Sequence, residues 1–192
     1  MNKLILASSS PYRRALLEKL CLPFAGLDPG LDEQPFKEKI SDPEELTATL
    51  AYEKAFIIHN LNPEAVVIGG DQVSLFENSI LGKPGNNENA FAQLKLLQGK
   101  THHLVTAVCL IGPNGREAFI DKTTLKMRAL TDREISSYIE MDNPLDCAGS
   151  YKIEKLGISL FDSIDTEDHT AIVGLPLMKL SKVLRGFGFA LP

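Results

Sequence analysis

Met1-Asn-Lys-Leu-Ile-Leu-Ala-Ser-Ser-Ser-Pro-Tyr-Arg-Arg-Ala-Leu-Leu-Glu-Lys-Leu20 opens the chain. Within it, Leu4 to Ala7 is a short apolar run, long enough for a buried strand and too short for a helix. Ser10-Pro11 then pairs a hydroxyl N-cap with proline at the first helical position, and Leu16, Leu17 and Leu20 continue at helical spacing. A strand that runs through small hydroxylated residues into a helix leaves free backbone N–H groups at the positive end of a helix dipole, where an anion can sit. Arg13 and Arg14 fall in the first turn, where basic residues oppose the dipole unless a negative ligand offsets them. That conflict suggests a phosphate. A solvated surface helix start is the competing reading, and this segment alone leaves both open.

The alternation continues outward. Leu27 to Lys39 is polar and proline-punctuated, with Asp32-Glu33 inside it. Ser41-Asp42-Pro43-Glu44-Glu45 starts a helix whose apolar stripe runs through Leu46, Leu50, Ala51 and Ile57-Ile58 to about His59. Ala65 to Ile68 reads as a buried strand, followed by Gly69-Gly70-Asp71-Gln72 and a second strand from Val73 to Phe76. Asn87 to Gln98 is a helix closed by Gly99. Leu104 to Ile111, the Pro113-Asn114-Gly115 turn and Ala118 to Met127 form a long hairpin. Thr131 to Glu134 is a capping box opening a helix to about Glu140. The remainder reads as short strands near Ile158 to Phe161 and Ala171 to Val173, then a helix after Pro176. Strands and helices alternate first and a hairpin comes later, which predicts a mixed α/β sheet with helices packed on it. The 192 residues, 1–192, suffice for one domain or two small lobes.

Composition limits the partners. The formal net charge of −5 argues against a nucleic-acid polymer or an anionic membrane, while leaving room for a small anion in a local basic pocket. Cys21, Cys109 and Cys147 are scattered, without paired metal spacing, and fit reduced thiols. The four apolar residues near the N-terminus are too few for a signal-peptide core, and no stretch approaches the ~20 apolar residues that span a bilayer. The expectation is a soluble cytoplasmic protein.

The chemistry gathers after strands. Asp71 and Gln72 follow an apolar run at the place where open α/β sheets build their sites. Asp71 could act as a general base or help hold a divalent cation, or it could be a turn aspartate bonding its own backbone. Gly82-Lys83-Pro84 could put a lysine on a phosphate, but it is no Walker A loop, since Glu77 stands where that motif needs glycine. Lys54 interrupts an alanine-rich, aliphatic helix, a place where lysine is usually solvated. His102 and His103 are adjacent and point to opposite faces of a strand, which makes them poor partners in one metal site. No histidine reads as catalytic.

Read together, Leu6-Ala-Ser-Ser-Ser-Pro-Tyr-Arg-Arg14, Leu31-Asp-Glu33, Ala51-Tyr-Glu-Lys-Ala55, Ile68-Gly-Gly-Asp-Gln-Val73, Gly82-Lys-Pro84, Cys147-Ala-Gly-Ser-Tyr-Lys-Ile-Glu154 and Val173-Gly-Leu-Pro-Leu177 form an ordered series. The series closely resembles the Maf-like nucleotide pyrophosphatases, from Lys3 to about Leu184. Asp71-Gln72 and the segment ending at Glu154 resemble the branch that acts on 7-methyl-GTP. Two departures stand out: Gly70 replaces the usual serine before the aspartate, and Tyr12 stands where tryptophan is common in that branch.

The resemblance implies a single domain over 1–192, with a mixed central sheet flanked by helices and two lobes around a nucleotide-binding groove, as in the inosine triphosphatase-like folds. It implies hydrolysis of a nucleoside triphosphate to the monophosphate and pyrophosphate with a divalent cation, Mg, Mn or Co. Ser8, Arg13, Lys54 and Lys83 would hold the phosphates, and Glu33 with Asp71 would serve the metal or the attacking water. Tyr12 could stack on the cationic methylated base, Glu154 could accept from its N1–H and amine edge, and Gln72 could add an amide contact. Without the resemblance, Tyr12 reads as helix packing and Glu154 as a turn cap. A homodimer is compatible with the resemblance. Rival readings are a pyrophosphatase for dTTP, UTP or another noncanonical nucleotide, and a non-catalytic nucleotide sensor linked to cell division. Retention of Asp71, Glu33, Lys54 and Lys83 favours the enzyme.

Overall fold

A computed structural model describes residues 3–192; Met1 and Asn2, which open the first motif, lie outside the described residues. Strand β1 (Lys3–Ala7) leads through the serines into helix α1 (Pro11–Glu18), whose extended N-cap Ser10 accepts from the Arg13 N–H as the sequence predicts. Next come β2 (Ala25–Leu27), the short helix α2 (Gln34–Lys39) and α3 (Pro43–Leu61), capped by Asp42. No apolar periodicity announces α2 within its polar, proline-punctuated stretch.

Strand β3 (Ala65–Phe76) is unbroken. The break expected at Gly69-Gly70-Asp71-Gln72 does not occur, because partners hold the strand on both sides of the glycines. Ala7 pairs with Gly69 at the end of the parallel β1–β3 ladder, and Ser74 to Phe76 pair with β4 (Ser79–Leu81). Pairing and burial outweigh the weak strand preference of glycine. Helix α4 (Asn87–Leu97), the hairpin of β5 (Thr101–Gly112) and β6 (Gly115–Met127), and α5 (Asp132–Asp142) with its Thr131–Glu134 capping box all follow the sequence pattern. Then come β7 (Phe161–Asp165) and α6 (Leu177–Gly186).

The strand expected near Ile158 to Phe161 begins only at Phe161, as β7, after the 3-10 turn Leu156–Leu160, and the one expected at Ala171 to Val173 is instead the 3-10 turn His169–Val173. Local bonds take over their backbone groups. The Gly157 N–H donates to the Lys152 carbonyl, and the Asp168 side chain accepts from the Thr170 N–H.

The seven-stranded sheet has the order β2-β1-β3-β5-β6-β7, with β4 paired to β3. It is mixed: β1 runs parallel to β2 and β3, and β7 antiparallel to β6. The chain divides into two compact units. One comprises Met1–Asp71, Thr106–Asp121 and Asp168–Pro192; the other comprises Gln72–Val105 and Lys122–Glu167. In the first unit the strands read as continuous apolar runs because both sheet faces are covered. Leu4, Leu6, Val66, Ile68, Val108 and Leu110 pack with Leu16, Leu17, Leu180 and Leu184 of α1 and α6. The alternate residues Ile5, Ala7, Val67 and Ala107 pack with Ala51, Ala55 and Ile58 of α3. In the second unit α4 lies against α5, burying Ala90, Leu94, Leu97, Ile135, Tyr138 and Ile139. The three cysteines are free, and no helix among the described residues is long and apolar enough to cross a membrane.

Candidate active site

Gly69 sets the distance between α3 and β3. A Cβ at this position would fall on the carbonyl oxygen of Ala51 and lie 2.7 Å from the Ala55 nitrogen, so only glycine lets the helix backbone come this close. That approach brings Lys54, in the same turn of α3 as these contacts, over the middle of β3. Lys54 is 8% exposed and Asp71 7%, and the lysine Nζ lies 2.6 Å from Asp71 Oδ1. The same ammonium lies 2.7 Å from Glu33 Oε1, at the N-cap of α2. Lys54 is therefore no solvated helical lysine; it bridges the two carboxylates singled out in the sequence. Asp71 lies within β3 rather than in a turn, which removes the turn-aspartate reading.

Lys37 was not foreseen. Its Nζ donates to Glu33 Oε2 at 2.6 Å, and the i,i+4 spacing of Glu33 and Lys37 was the available signal. Partial burial pushes the Glu33 carboxyl up, but hydrogen bonds from Lys37 and Lys54 outweigh it and hold its pKa at about 2. Asp71 moves the other way. Burial raises its pKa, with Glu33 adding to the rise, against the pull of the Lys54 and Arg13 cations.

The two adjacent arginines of α1 have separate fates. Arg14 stacks over the Phe24 ring at 5.6 Å from its centroid. Arg13 instead donates from Nε to the Gly174 carbonyl at 3.1 Å, and a Cβ on Gly70 would sit 3.5 Å from the same nitrogen. Burial lowers the Arg13 pKa, while Asp71 and Glu33 act against that shift. Arg13, Glu33, Lys54 and Asp71 thus form one electrostatic cluster drawn from α1, the start of α2, α3 and β3. Ser8 accepts the Ser10 N–H on its hydroxyl at 3.2 Å, and Tyr12 is half-buried on α1.

Gln72, Lys83 and Glu154 belong to the second unit. Gln72 is half-buried in β3; Lys83 and Glu154 are exposed, in a loop and a turn respectively. Gln93 of α4 ties the two segments that carry the latter pair. Its Oε1 accepts the Ser150 hydroxyl at 2.6 Å and its Nε2 donates to the Gly82 carbonyl at 3.1 Å. Asn89 adds a bond to the Pro84 carbonyl, and the Gly85 N–H donates to Leu145. Gly149 and Ser150 both lie in the left-handed region, at φ 77° and 64°.

Among the described residues, no group of three or more His, Cys, Asp and Glu side chains could hold a metal. Glu33 and Asp71 nonetheless surround one positive charge. Two carboxylates fit a small hard cation that completes its shell with phosphate oxygens and water, and they fall short of a cage built from protein ligands alone.

The family profile described as Maf-like protein matches residues 3–187. The chain belongs to the Maf-like family. This Maf-like chain is 47% identical over 192 residues to the 7-methyl-GTP pyrophosphatase of Xanthomonas axonopodis pv. citri, with both chains covered in full. It is 46% identical over 183 residues to the 7-methyl-GTP pyrophosphatase of Bdellovibrio bacteriovorus, covering 95% of this chain and 96% of that one. Among solved structures, it resembles the Staphylococcus aureus Ham1 protein with a TM-score of 0.54 at 14% identity, covering 96% of this chain and 99% of the other. The HAM1 protein from Coxiella burnetii gives a TM-score of 0.50 at 15% identity, with 97% and 100% covered. These distant likenesses concern the fold, and they agree with a mixed sheet flanked by helices.

Proposed function

We propose that this Maf-like protein hydrolyses 7-methyl-GTP to 7-methyl-GMP and pyrophosphate in the nucleotide pool of the cytoplasm. The observation that carries the reading is Lys54 bridging Glu33 and Asp71 beside Arg13, in a chain whose full-length relatives bear that activity in their names. Water adds across the α–β anhydride: a new P–O bond forms, the bridging P–O bond breaks, and pyrophosphate leaves. Asp71 takes the proton from the water. Arg13, Lys54 and Lys83 hold phosphate oxygens, and Ser8 presents its hydroxyl to the phosphate chain. A divalent cation arriving with the nucleotide and held by Glu33 and Asp71 would supply charge neutralisation at the phosphates.

Base selection is assigned to Glu154, Gln72 and Tyr12. N7-methylation spreads a positive charge over guanine, which a carboxylate and an aromatic face both favour. Steady-state rates for 7-methyl-GTP, GTP and UTP, with Mg²⁺, Mn²⁺ or Co²⁺, test the reading. Glu154→Gln is expected to cut the preference for 7-methyl-GTP over UTP by roughly tenfold, because a charge-assisted contact carries ~1.5–3 kcal/mol. Preferred hydrolysis of UTP by the wild-type protein would move the assignment to a pyrimidine substrate. Absence of pyrophosphate release from all three would leave dTTP or another noncanonical nucleotide as substrate, or the sensor reading.

A further inference from the structure

We infer that Asp168 and Thr170 are positioning residues for Arg13: a buried carboxylate–hydroxyl clasp fixes the Gly174 carbonyl that orients the guanidinium. The inference rests on Arg13 being a phosphate ligand, as proposed above, and every residue in it belongs to the first unit.

Asp168 is 1% exposed. Its Oδ1 accepts the Thr170 N–H at 2.9 Å and the Thr170 hydroxyl at 2.5 Å, and its Oδ2 accepts the Met178 N–H at 2.7 Å. Thr170 Oγ1 in turn accepts the Leu177 N–H at 2.8 Å. The turn His169–Val173 is thereby fastened to the start of α6. A further tie comes from β5, where the Thr106 hydroxyl donates to the Ala171 carbonyl at 3.1 Å, and that carbonyl also receives the Gly174 N–H at 2.9 Å. Gly174 closes the turn at φ 113°, where a side chain would be strained, and a Cβ there would lie 3.3 Å from Arg13 Nε.

Part of this network is a helix cap. Pro176, at the N-cap of α6, offers no side-chain acceptor, so Asp168 and Thr170 satisfy the Met178 and Leu177 N–H groups instead. Capping does not require a carbonyl aimed at a residue 161 positions away, yet Gly174 accepts the Arg13 Nε–H at 3.1 Å. Guanidinium is a planar fork of five donors on a flexible stem. One fixed acceptor at Nε selects its plane and leaves the terminal nitrogens for a phosphate. Loosening the acceptor by about 1 Å is enough to cost on the order of 10²-fold where geometry governs the step.

The test measures binding of a non-hydrolysable α,β-methylene analogue of 7-methyl-GTP, together with melting temperature. The proteins are wild type, Thr170→Val, Thr170→Ser, Arg13→Met and the Thr170→Val/Arg13→Met double variant. Thr170→Val is expected to weaken binding about tenfold or more, and Thr170→Ser to restore it. In the Arg13→Met background, Thr170→Val should add less than about twofold, since groups acting through one contact are not additive. Wild-type affinity in Thr170→Val overturns the inference, as does an undiminished loss in the Arg13→Met background. If Thr170→Val does not fold, Asp168→Asn is read by the same criteria, and failure of both to fold would show a purely structural clasp. Wild-type affinity in Arg13→Met would instead remove Arg13 from phosphate binding, taking the inference with it. A weak Arg13→Met beside a tight Thr170→Val would remove the clasp alone.

Discussion

Asp71 is a carboxyl that its surroundings pull in opposite directions. Burial lifts its pKa above the ordinary 3.8, while Lys54 at 2.6 Å and Arg13 favour the ionised form. Only the ionised form can take a proton from water, so activity falls as pH drops through that raised value. Asp71→Asn is expected to lower turnover by ~10²–10⁴-fold while the α,β-methylene analogue still binds. Wild-type turnover in a folded Asp71→Asn protein would exclude it as the base. Gly69 controls whether Lys54 reaches Asp71 at all. Gly69→Ala drives a methyl group onto the α3 backbone, and overpacking of this kind costs about 1–3 kcal/mol. Catalytic efficiency should fall more than the melting temperature implies, because the displaced helix carries Lys54; a loss of stability with kcat/KM intact would contradict this. The sequence pattern alone drew attention to Asp71 and Arg13, by their place after an apolar run and in a first helical turn, and the structure places both in one electrostatic cluster. Lys54 entered only through the family resemblance, because helical periodicity alone reads a lysine on an apolar face as snorkelling, and the carboxylates that bury it come from other segments. Helix position alone could not separate Arg13 from Arg14, which only the resemblance distinguished, since successive helical residues diverge by about 100° and the tertiary structure decides which direction holds Asp71.

Elements were legible where capping or long periodicity marked them, as in α1, α3, α4 and α5. They were misread where a short apolar run had its backbone bonds met locally, as in the turns Leu156–Leu160 and His169–Val173. The glycines at positions 69 and 70 suggested an interruption, yet neighbouring strands carry β3 straight through them. Helix α4 shows what spacing cannot reveal. Through Gln93 it holds the Gly82 carbonyl and the Ser150 hydroxyl together, and so ties the segment bearing Lys83 to the one that leads to Glu154. Gln93→Met keeps the side-chain length and removes both bonds. We expect KM to rise and the 7-methyl-GTP to UTP preference to fall together, each by several-fold, as the loss of two hydrogen bonds of about 1 kcal/mol each allows. Lys83→Ala, by contrast, should raise KM for all nucleotides alike. An unchanged preference in Gln93→Met would show that α4 does not set the geometry of the Glu154 segment.

At the scale of the whole molecule, His102 makes stability depend on pH in a window above that of Glu33. It is fully buried, its Nε2 lies 2.9 Å from the Tyr151 hydroxyl, and its Nδ1 is buried without a hydrogen-bond partner. An imidazolium would carry a donor at each nitrogen and leave one unanswered. Burial, with a smaller contribution from His103, accordingly lowers its pKa from 6.5 to about 4. The folded value lies below the unfolded one, so between them the unfolded chain binds the additional proton. The His102 contribution is therefore complete above pH 6.5 and is lost as pH falls toward 4, by up to about 3 kcal/mol for a shift of this size. Glu33, held at about 2 against an ordinary 4.5, contributes stability above 4.5 that is lost only below it. Between pH 6.5 and 4.5 the decline consequently reports histidine rather than Glu33. His102→Gln should lower the melting temperature at pH 7.5, because an amide fits the ring site among Tyr151 and Phe161 less well. It should also flatten the fall in stability between pH 6.5 and 4.5, measured by denaturant unfolding at each pH. Parallel curves for wild type and variant across that window would show that His102 is not the group being titrated.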